Sequence, residues 1–340
     1  MRLLLVLWSS TALVAGRSDP NFFETCGSWR HCLESHTVPS DVPFNWFEGW
    51  NATVQPKLEQ LLVVSRDQQE DEEHQEPSTR RGLMVVMAGD STIIQQFQVL
   101  SEFVRLRDDY QPVVGEKAEI RQKYELTFGA PRDTSGSVTF LFYRVFEACM
   151  LQKANPHIKQ AYALYFGCGM HLLHLLPTFG PSLLQQALYS WDNYEDLLTS
   201  RVNGYRQGNK DIKLVYMTTH GVDESKFFGP WHEALVKYGA RDATFLEACK
   251  KKFDKHLPPD SSSRNNLEQA CLDSVFGARG VELLNGRGIA AMDKAGVSIV
   301  PAHKIVKGQS WATQRGDGRH YPYLVPLEIF WFLMTLEGLP

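Results

Sequence analysis

From Leu83 to Ala88 the chain reads LMVVMA, a short apolar run of the kind that forms a strand buried on both faces. Directly after it, Ile93, Phe97, Leu100 and Val104 recur at steps of four, three and four, which predicts an amphipathic helix. Further strands are expected over Val138 to Phe146, Ala161 to Phe166, Ile212 to Thr218 and Val297 to Val300. Helices are expected from about Ser182 to Val202, near 231–253 and 266–294, and from Val325 to Leu336. The polar stretch PPDSSSRNN separates the middle two. Strands alternating with helices predict an α/β fold with a mostly parallel central sheet covered on both faces. No internal repeat interrupts this order.

Ahead of the alternating region the pattern differs. Met1-Arg2 is followed by LLLVLWSSTALVAG, and small residues cluster near Gly16 and Ser18. A basic start, a short apolar stretch and small residues describe a secretory signal peptide, and the run is short for a membrane span. Residues 17–64 are aromatic-rich without a long period and read as an extension packed on the main domain. Residues 65–81, SRDQQEDEEHQEPSTRR, read as a solvated acidic linker. The expected division is therefore 1–16 signal peptide, 17–81 extension and linker, and 82–340 α/β domain, with no integral span once the signal is removed.

Composition narrows the function classes. The 340 residues are 43% hydrophobic and 22% charged, which excludes general disorder and fibrous repeats. With 35 Lys and Arg against 39 Asp and Glu, no basic excess exists to neutralise phosphates, so nucleic acid is not an expected partner. Six cysteines follow the apparent signal, namely Cys26, Cys32, Cys149, Cys168, Cys249 and Cys271. Cys26 with Cys32 would close a local loop, and Cys249 with Cys271 would staple two helices. The pairing stays open, as does the alternative of buried thiols. Asn51-Ala52-Thr53 is a glycosylation sequon, meaningful only for a chain that enters the secretory pathway.

Several motifs are absent or out of context. There is no G-x-S-x-G elbow and no P-loop. Gly286-Arg287-Gly288 begins a dinucleotide fingerprint on paper, but too little chain follows for a βαβ unit. His232-Glu233 lacks the second His of a zincin. His171 and His174, with Asp90, define a metal-hydrolase alternative, yet zinc needs three or four ligands with supporting partners, so no metal or other cofactor is expected.

Two segments carry the chemistry. Gly89-Asp90-Ser91 stands where the first strand gives way to its helix, and open α/β sheets place their sites at strand C-termini. A Ser there lies over the positive end of a helix, with a backbone N–H suited to an oxyanion. Alone, Gly-Asp-Ser also reads as a helix cap. Near the other end, Asp317-Gly318-Arg319-His320-Tyr321 puts an Asp three residues before a His, so that the carboxylate can fix the imidazole tautomer while the other ring nitrogen faces a serine. Alone, this is a surface turn. Together, bracketing an α/β pattern, the two specify a Ser-His-Asp constellation far better than either does.

Here the sequence resembles the SGNH (GDSL-type) hydrolase superfamily, and within it the PC-esterase branch that includes the plant trichome-birefringence-like polysaccharide O-acetyltransferases. The resemblance rests on Gly89-Asp90-Ser91, on Asp317-x-x-His320-Tyr321 and, more weakly, on Gly167-Cys168-Gly169-Met170-His171 as a counterpart of an N-x-G-x-H segment. It implies a flavodoxin-like three-layer α/β/α fold over roughly residues 82–336. It also implies Ser91 as nucleophile, His320 as base and Asp317 as its orienting acid, with Gly169, Asp90 and His171 as auxiliary or oxyanion residues. Two departures stand out. Thr92 replaces the usual Leu, and Gly167 stands where the family offers an Asn donor.

The expected function is a secreted serine esterase or O-acyltransferase acting on acyl, most readily acetyl, esters of carbohydrates, retained in or passing through the Golgi or endoplasmic reticulum. Trp46, Trp50, Trp231 and Trp311 are the residues available to stack on sugar rings, against the commoner fate of core packing. The alternative is a carbohydrate-binding or interaction protein that keeps the fold without catalysis. Neither the acceptor nor the oligomeric state follows from the sequence.

Overall fold

A computed structural model describes residues 46–71, 82–105, 113–114, 123–129, 136–144, 155–167, 170–173, 191–257, 259–313 and 317–338. The signal-peptide expectation, Cys26, Cys32, Cys149, Cys168, Gly169 and His174 lie outside them.

The elements begin with helix α1 (Trp46–Asp71), strand β1 (Leu83–Gly89) and helix α2 (Ser91–Arg105). Strands β2 (Val113–Val114), β3 (Lys123–Gly129) and β4 (Ser137–Arg144) follow, then α3 (Pro156–Gln160), β5 (Ala163–Phe166), α4 (Trp191–Gly208) and β6 (Lys213–Met217). Next come α5 (Pro230–Gly239), α6 (Ala243–His256), α7 (Leu267–Asp273) and α8 (Ala278–Lys294). The chain closes with β7 (Ser298–Val300), α9 (Ala302–Ile305) and α10 (Val325–Glu337).

The strands form one sheet in the order β2-β3-β4-β1-β5-β6-β7. From β4 to β7 every pairing is parallel, and β3 and β2 add an antiparallel edge. Renumbered along the chain, the five parallel strands run 2-1-3-4-5, the doubly wound flavodoxin-like order. β1 is flanked by β4 and β5, and the chain crosses from one side of β1 to the other between them. The crevice at this reversal opens at the C-terminal end of β1, where Ser91 follows.

Alternation in β1 divides the core. Val85 and Met87 join a cluster with Ile93, Phe97 and Leu100 of α2 and Ile329, Phe332 and Leu333 of α10. Val86 and Ala88 face the opposite layer, with Tyr194, Leu198 and Val202 of α4 and Leu284 and Met292 of α8. A strand buried on both faces needs no polar alternation, which is why the LMVVMA run reads so clearly. The fold is α/β/α, as the alternating pattern predicts.

Three expectations need correction. Residues 54–65 do carry a helical stripe: Val54, Leu58, Leu61, Leu62 and Ser65 are buried in α1, against α10, β1 and β4. Pro56 inside that helix obscures the pattern. α1 also runs through Asp71, so the first residues assigned to a solvated linker are helical. The long helices near 231–253 and 266–294 are each broken in two. Asp242 caps α6 by accepting the Phe245 N–H, and Gly277 starts α8. The fingerprint glycines Gly286 and Gly288 lie inside α8 and form no strand-to-helix loop. The antiparallel edge strand β3 has no counterpart in the predicted elements, although Tyr124, Leu126 and Phe128 alternate with polar residues.

Cys249 and Cys271 form a disulfide joining α6 to α7, as their spacing suggests. Among the described residues, no helix is long and apolar enough to cross a membrane.

Candidate active site

Asp90 and Ser91 divide the labour at the start of α2. Asp90 is buried and caps the helix, its Oδ1 accepting from the Thr92 N–H at 2.9 Å and the Thr92 Oγ1 at 2.7 Å. Thr92 thus secures the capping residue. Ser91 is the first helical residue, so its N–H belongs to the first turn and has no acceptor within the helix. Its hydroxyl is left for a partner from elsewhere, because the neighbouring side chain does the capping.

That partner is His320. Ser91 Oγ and His320 Nε2 are 2.6 Å apart, across 229 residues of chain. On the other side of the ring, His320 Nδ1 lies 3.0 and 2.9 Å from the two Asp317 oxygens. Asp317 also accepts from Arg319 Nε at 3.1 Å. An Nδ1–H held by the carboxylate leaves Nε2 as the lone-pair nitrogen facing the hydroxyl, the tautomer that accepts its proton. Burial pushes the Asp317 carboxyl up, but His320 and then Arg319 outweigh it and hold the group below its ordinary range. It is therefore an anion near neutral pH. His320 retains 12% of its side-chain surface and Ser91 is half-buried, so the hydroxyl can be approached from solvent.

A single backbone feature lets this loop form. Gly318 has φ of 63°, in the left-handed region, and a Cβ there would lie 2.4 Å from the Asp223 carbonyl and 2.8 Å from the Phe227 ring. The Asp223 N–H donates to the Gly318 carbonyl at 2.7 Å, tying the loop to the segment after β6.

The remaining expected residues take different places. His171 follows β5 in a 3-10 turn, Met170–Leu172, with its Nε2 3.9 Å from Asp90 Oδ2. Burial draws its imidazole below the usual range, with Asp90 opposing and Arg319, His320 and Arg144 assisting. Asp90 stays below the ordinary carboxylate range although burial opposes it, owing to His171, its Thr92 bonds and His320. Arg144 ends β4 in register with Gly89. Gly167 is buried, and a Cβ there would meet the Met217 carbonyl at 3.1 Å and Ile93 at 3.4 Å. Any side chain would be crowded at that position. Asn51 lies on α1. Trp311 stacks on Tyr323 and donates to Gln309, so packing occupies it. Among the described residues, no three His, Cys, Asp or Glu side chains converge as a metal ion would require. A cleft of about 550 Å³ lies alongside, lined by Asp223, His303 and Tyr321 among others, but neither Ser91 nor His320 lines it.

Three buried polar neighbours of the site escape the sequence pattern. His220, after β6, and Glu328, on α10, are fully buried and paired at 2.7 Å between Nε2 and Oε1. Gln96 of α2 donates to the other Glu328 oxygen at 2.6 Å. Glu328 is the only charge in the apolar run VPLEIFWFLM, and a lone carboxylate in such a helix must find a partner. That signal marks a buried partner in the sequence, though not its place beneath the site.

No family model matches the chain, and no curated protein matches it. Among solved structures it is similar to a lipase/acylhydrolase from Enterococcus faecalis, at 8% identity and a TM-score of 0.38, over 75% of this chain and 94% of that one. It is also similar to a DUF4886 family protein from Bacteroides uniformis, at 12% identity and a TM-score of 0.33, over 76% of this chain and 86% of that one. The α/β assignment rests on the strand order and register, not on these likenesses.

Proposed function

We propose that this protein is a serine esterase or O-acyltransferase of the SGNH type, acting on acyl esters of carbohydrates in the secretory pathway. The observation that carries the reading is the linked series Ser91 Oγ, His320 Nε2, His320 Nδ1 and Asp317, assembled at the reversal point of a doubly wound sheet. His320 takes the hydroxyl proton as Ser91 Oγ bonds to the ester carbonyl carbon. The carbonyl oxygen becomes an oxyanion beside the Ser91 N–H and the positive end of α2. Collapse breaks the bond to the leaving alkoxide, which takes the proton back from His320. The acyl group then rests on Ser91. Water (for an esterase) or a sugar hydroxyl (for a transferase) gives its proton to His320 and attacks the acyl carbon, and as the bond to Ser91 Oγ breaks, His320 returns the proton to the serine.

The location is supported by the leader-like N-terminus and by the Cys249–Cys271 disulfide, a bond that persists in oxidising compartments. The test is covalent labelling with a fluorophosphonate. Wild type should be modified at Ser91 and should release acetate from an acetylated oligosaccharide, and Ser91→Ala should do neither. A Ser91→Ala protein with wild-type turnover would sink the assignment. One observation favours the alternative of a binding protein without turnover, namely Gly167 in place of an Asn donor. The loss of one oxyanion donor costs ~10²–10³ in rate.

A further inference from the structure

The Ser91, His320 and Asp317 side chains leave unexplained why a charged pair is buried directly behind them. His220 and Glu328 are each 0% exposed. A buried ion pair is a poor device for stability, since apolar residues of similar volume commonly serve as well or better. Its placement suggests another use. His220 Nδ1 is 3.0 Å from the Arg319 carbonyl oxygen, the oxygen of the peptide bond that leads into His320. The Tyr321 ring stands edge-on to the His220 ring, with centroids 5.6 Å apart at 85°. Both chain neighbours of His320 are therefore held against one buried imidazole.

The network also reaches the nucleophile. Gln96, five residues after Ser91 on α2, holds Glu328 Oε2, and Glu328 holds His220. The connection runs from the helix that begins at Ser91, through Gln96, Glu328 and His220, to the peptide bond that carries His320. It closes on itself where His320 meets Ser91 Oγ. The Nδ1 of His220 faces a carbonyl, and its Nε2 lies 2.7 Å from Glu328 Oε1 as an ion-pair contact without hydrogen-bond alignment, so the two acceptors together favour the charged ring. Burial disfavours that charge, but Glu328 and then the Arg319 carbonyl outweigh it and raise the imidazole above its usual range, with Asp90 adding at longer reach.

We infer that His220, held by Glu328, is a positioning residue that fixes the Arg319–His320 peptide and so sets the distance between the general base and Ser91. The inference rests on the serine acyl-transfer reading for its consequence in rate, but its geometric part is independent of that reading.

Two substitutions separate positioning from simple stabilisation. His220→Asn keeps an amide N–H near the place of Nδ1 and so retains the bond to the Arg319 carbonyl. His220→Gln puts its amide nearer the place of Nε2 and abandons that bond. Both are made together with Glu328→Gln, which removes the stranded charge equally from each. With 4-nitrophenyl acetate as substrate, the Gln variant should lose roughly 10²-fold in kcat with KM little changed, since a 1 Å misplacement carries about that cost. The Asn variant should stay within a few-fold of the Glu328→Gln protein, at a similar melting temperature. Equal losses in the two folded variants, or no loss in either, would overturn the inference.

Proton NMR supplies a readout that does not depend on turnover. The low-field Nδ1–H signal of His320 facing Asp317, assigned by its loss in His320→Ala, should persist in the Asn variant and shift or vanish in the Gln variant. If wild type neither reacts with a fluorophosphonate nor cleaves the ester, yet this signal responds as described, the enzyme reading fails and the positioning role stands. An unmoved signal in the folded Gln variant ends the positioning role whatever the activity.

Discussion

The end of the sheet that carries Ser91 and the helical excursion over α5 to α7 hold their chains in place by opposite means. Around Ser91, loops from distant parts of the chain are fixed by buried polar contacts, each with a defined partner. Asn285 exchanges two hydrogen bonds with the Thr219 backbone, Asp90 closes the turn into α2, and His220 holds Arg319. The excursion from 230 to 275 instead has short-range polar bonds, such as Arg264 with Asp254 and the Leu257 carbonyl, and small local clusters. One contains Cys249, Phe253, Leu257 and Cys271, and another Tyr238, Leu246 and Val275, with the disulfide across the first. Directional bonds set a position to a fraction of an ångström, which reacting atoms need. A covalent tie and a few apolar contacts suffice where only attachment matters.

The contrast can be broken most severely at Ser91. Ser91→Ala should lower ester turnover by as much as ~10⁶-fold while leaving the melting temperature near that of wild type, measured by single-turnover kinetics and calorimetry. Asp317→Asn comes next, at roughly 10⁴-fold in kcat, because the amide no longer enforces the Nδ1–H tautomer. An unchanged rate would mean that another group orients His320. On the other side, replacing Cys249 and Cys271 together by Ala should destabilise the protein by about 3 kcal/mol for a loop of 22 residues. Turnover per folded molecule should hold, and hydrogen exchange should rise in 243–273 before it rises near Ser91. Loss of activity in proportion to that exchange would erase the contrast.

Acid and base should act on the site end selectively. His220 is raised above its unfolded value of 6.5, so its stabilisation is complete below that pH and is lost as pH climbs through the raised folded value. Asp90 and Asp317 lie below 3.8, so theirs is complete above that pH and is lost as pH falls through the lowered values. Melting temperatures of wild type and of the His220→Asn, Glu328→Gln protein should therefore converge on the alkaline side. A gap independent of pH would mean that His220 is uncharged in the fold. The smallest effect belongs to Asp242→Ala, about 1 kcal/mol from the lost cap of α6, with no change in kcat.

Legibility followed the period of each element. β1 and α2 were readable because one is apolar throughout and the other repeats at helical steps. The breaks at 240–242 and 274–277 were not, because caps interrupt an apolar pattern without erasing it. β3 was missed because its alternation is short and carries Lys123 and Glu125. Ser91, Asp317 and His320 could be named because a strand end and a short Asp-to-His spacing are local features. The supporting network could not: Gln96, His220 and Glu328 come from three elements, and only folding sets them side by side.

The docking of α1 has a consequence for the order of events during synthesis. Its buried face meets α10, and Lys57 pairs with Glu337, so the first of the described helices completes its packing against the last of them. Nearly the whole α/β domain must emerge in between, on the order of tens of seconds at ~5–20 residues per second. Through that interval Val54, Leu58, Leu61 and Leu62 have no final partner on α10. A tag or truncation that displaces α10 would leave α1 with only β1 and β4 to cover its apolar face.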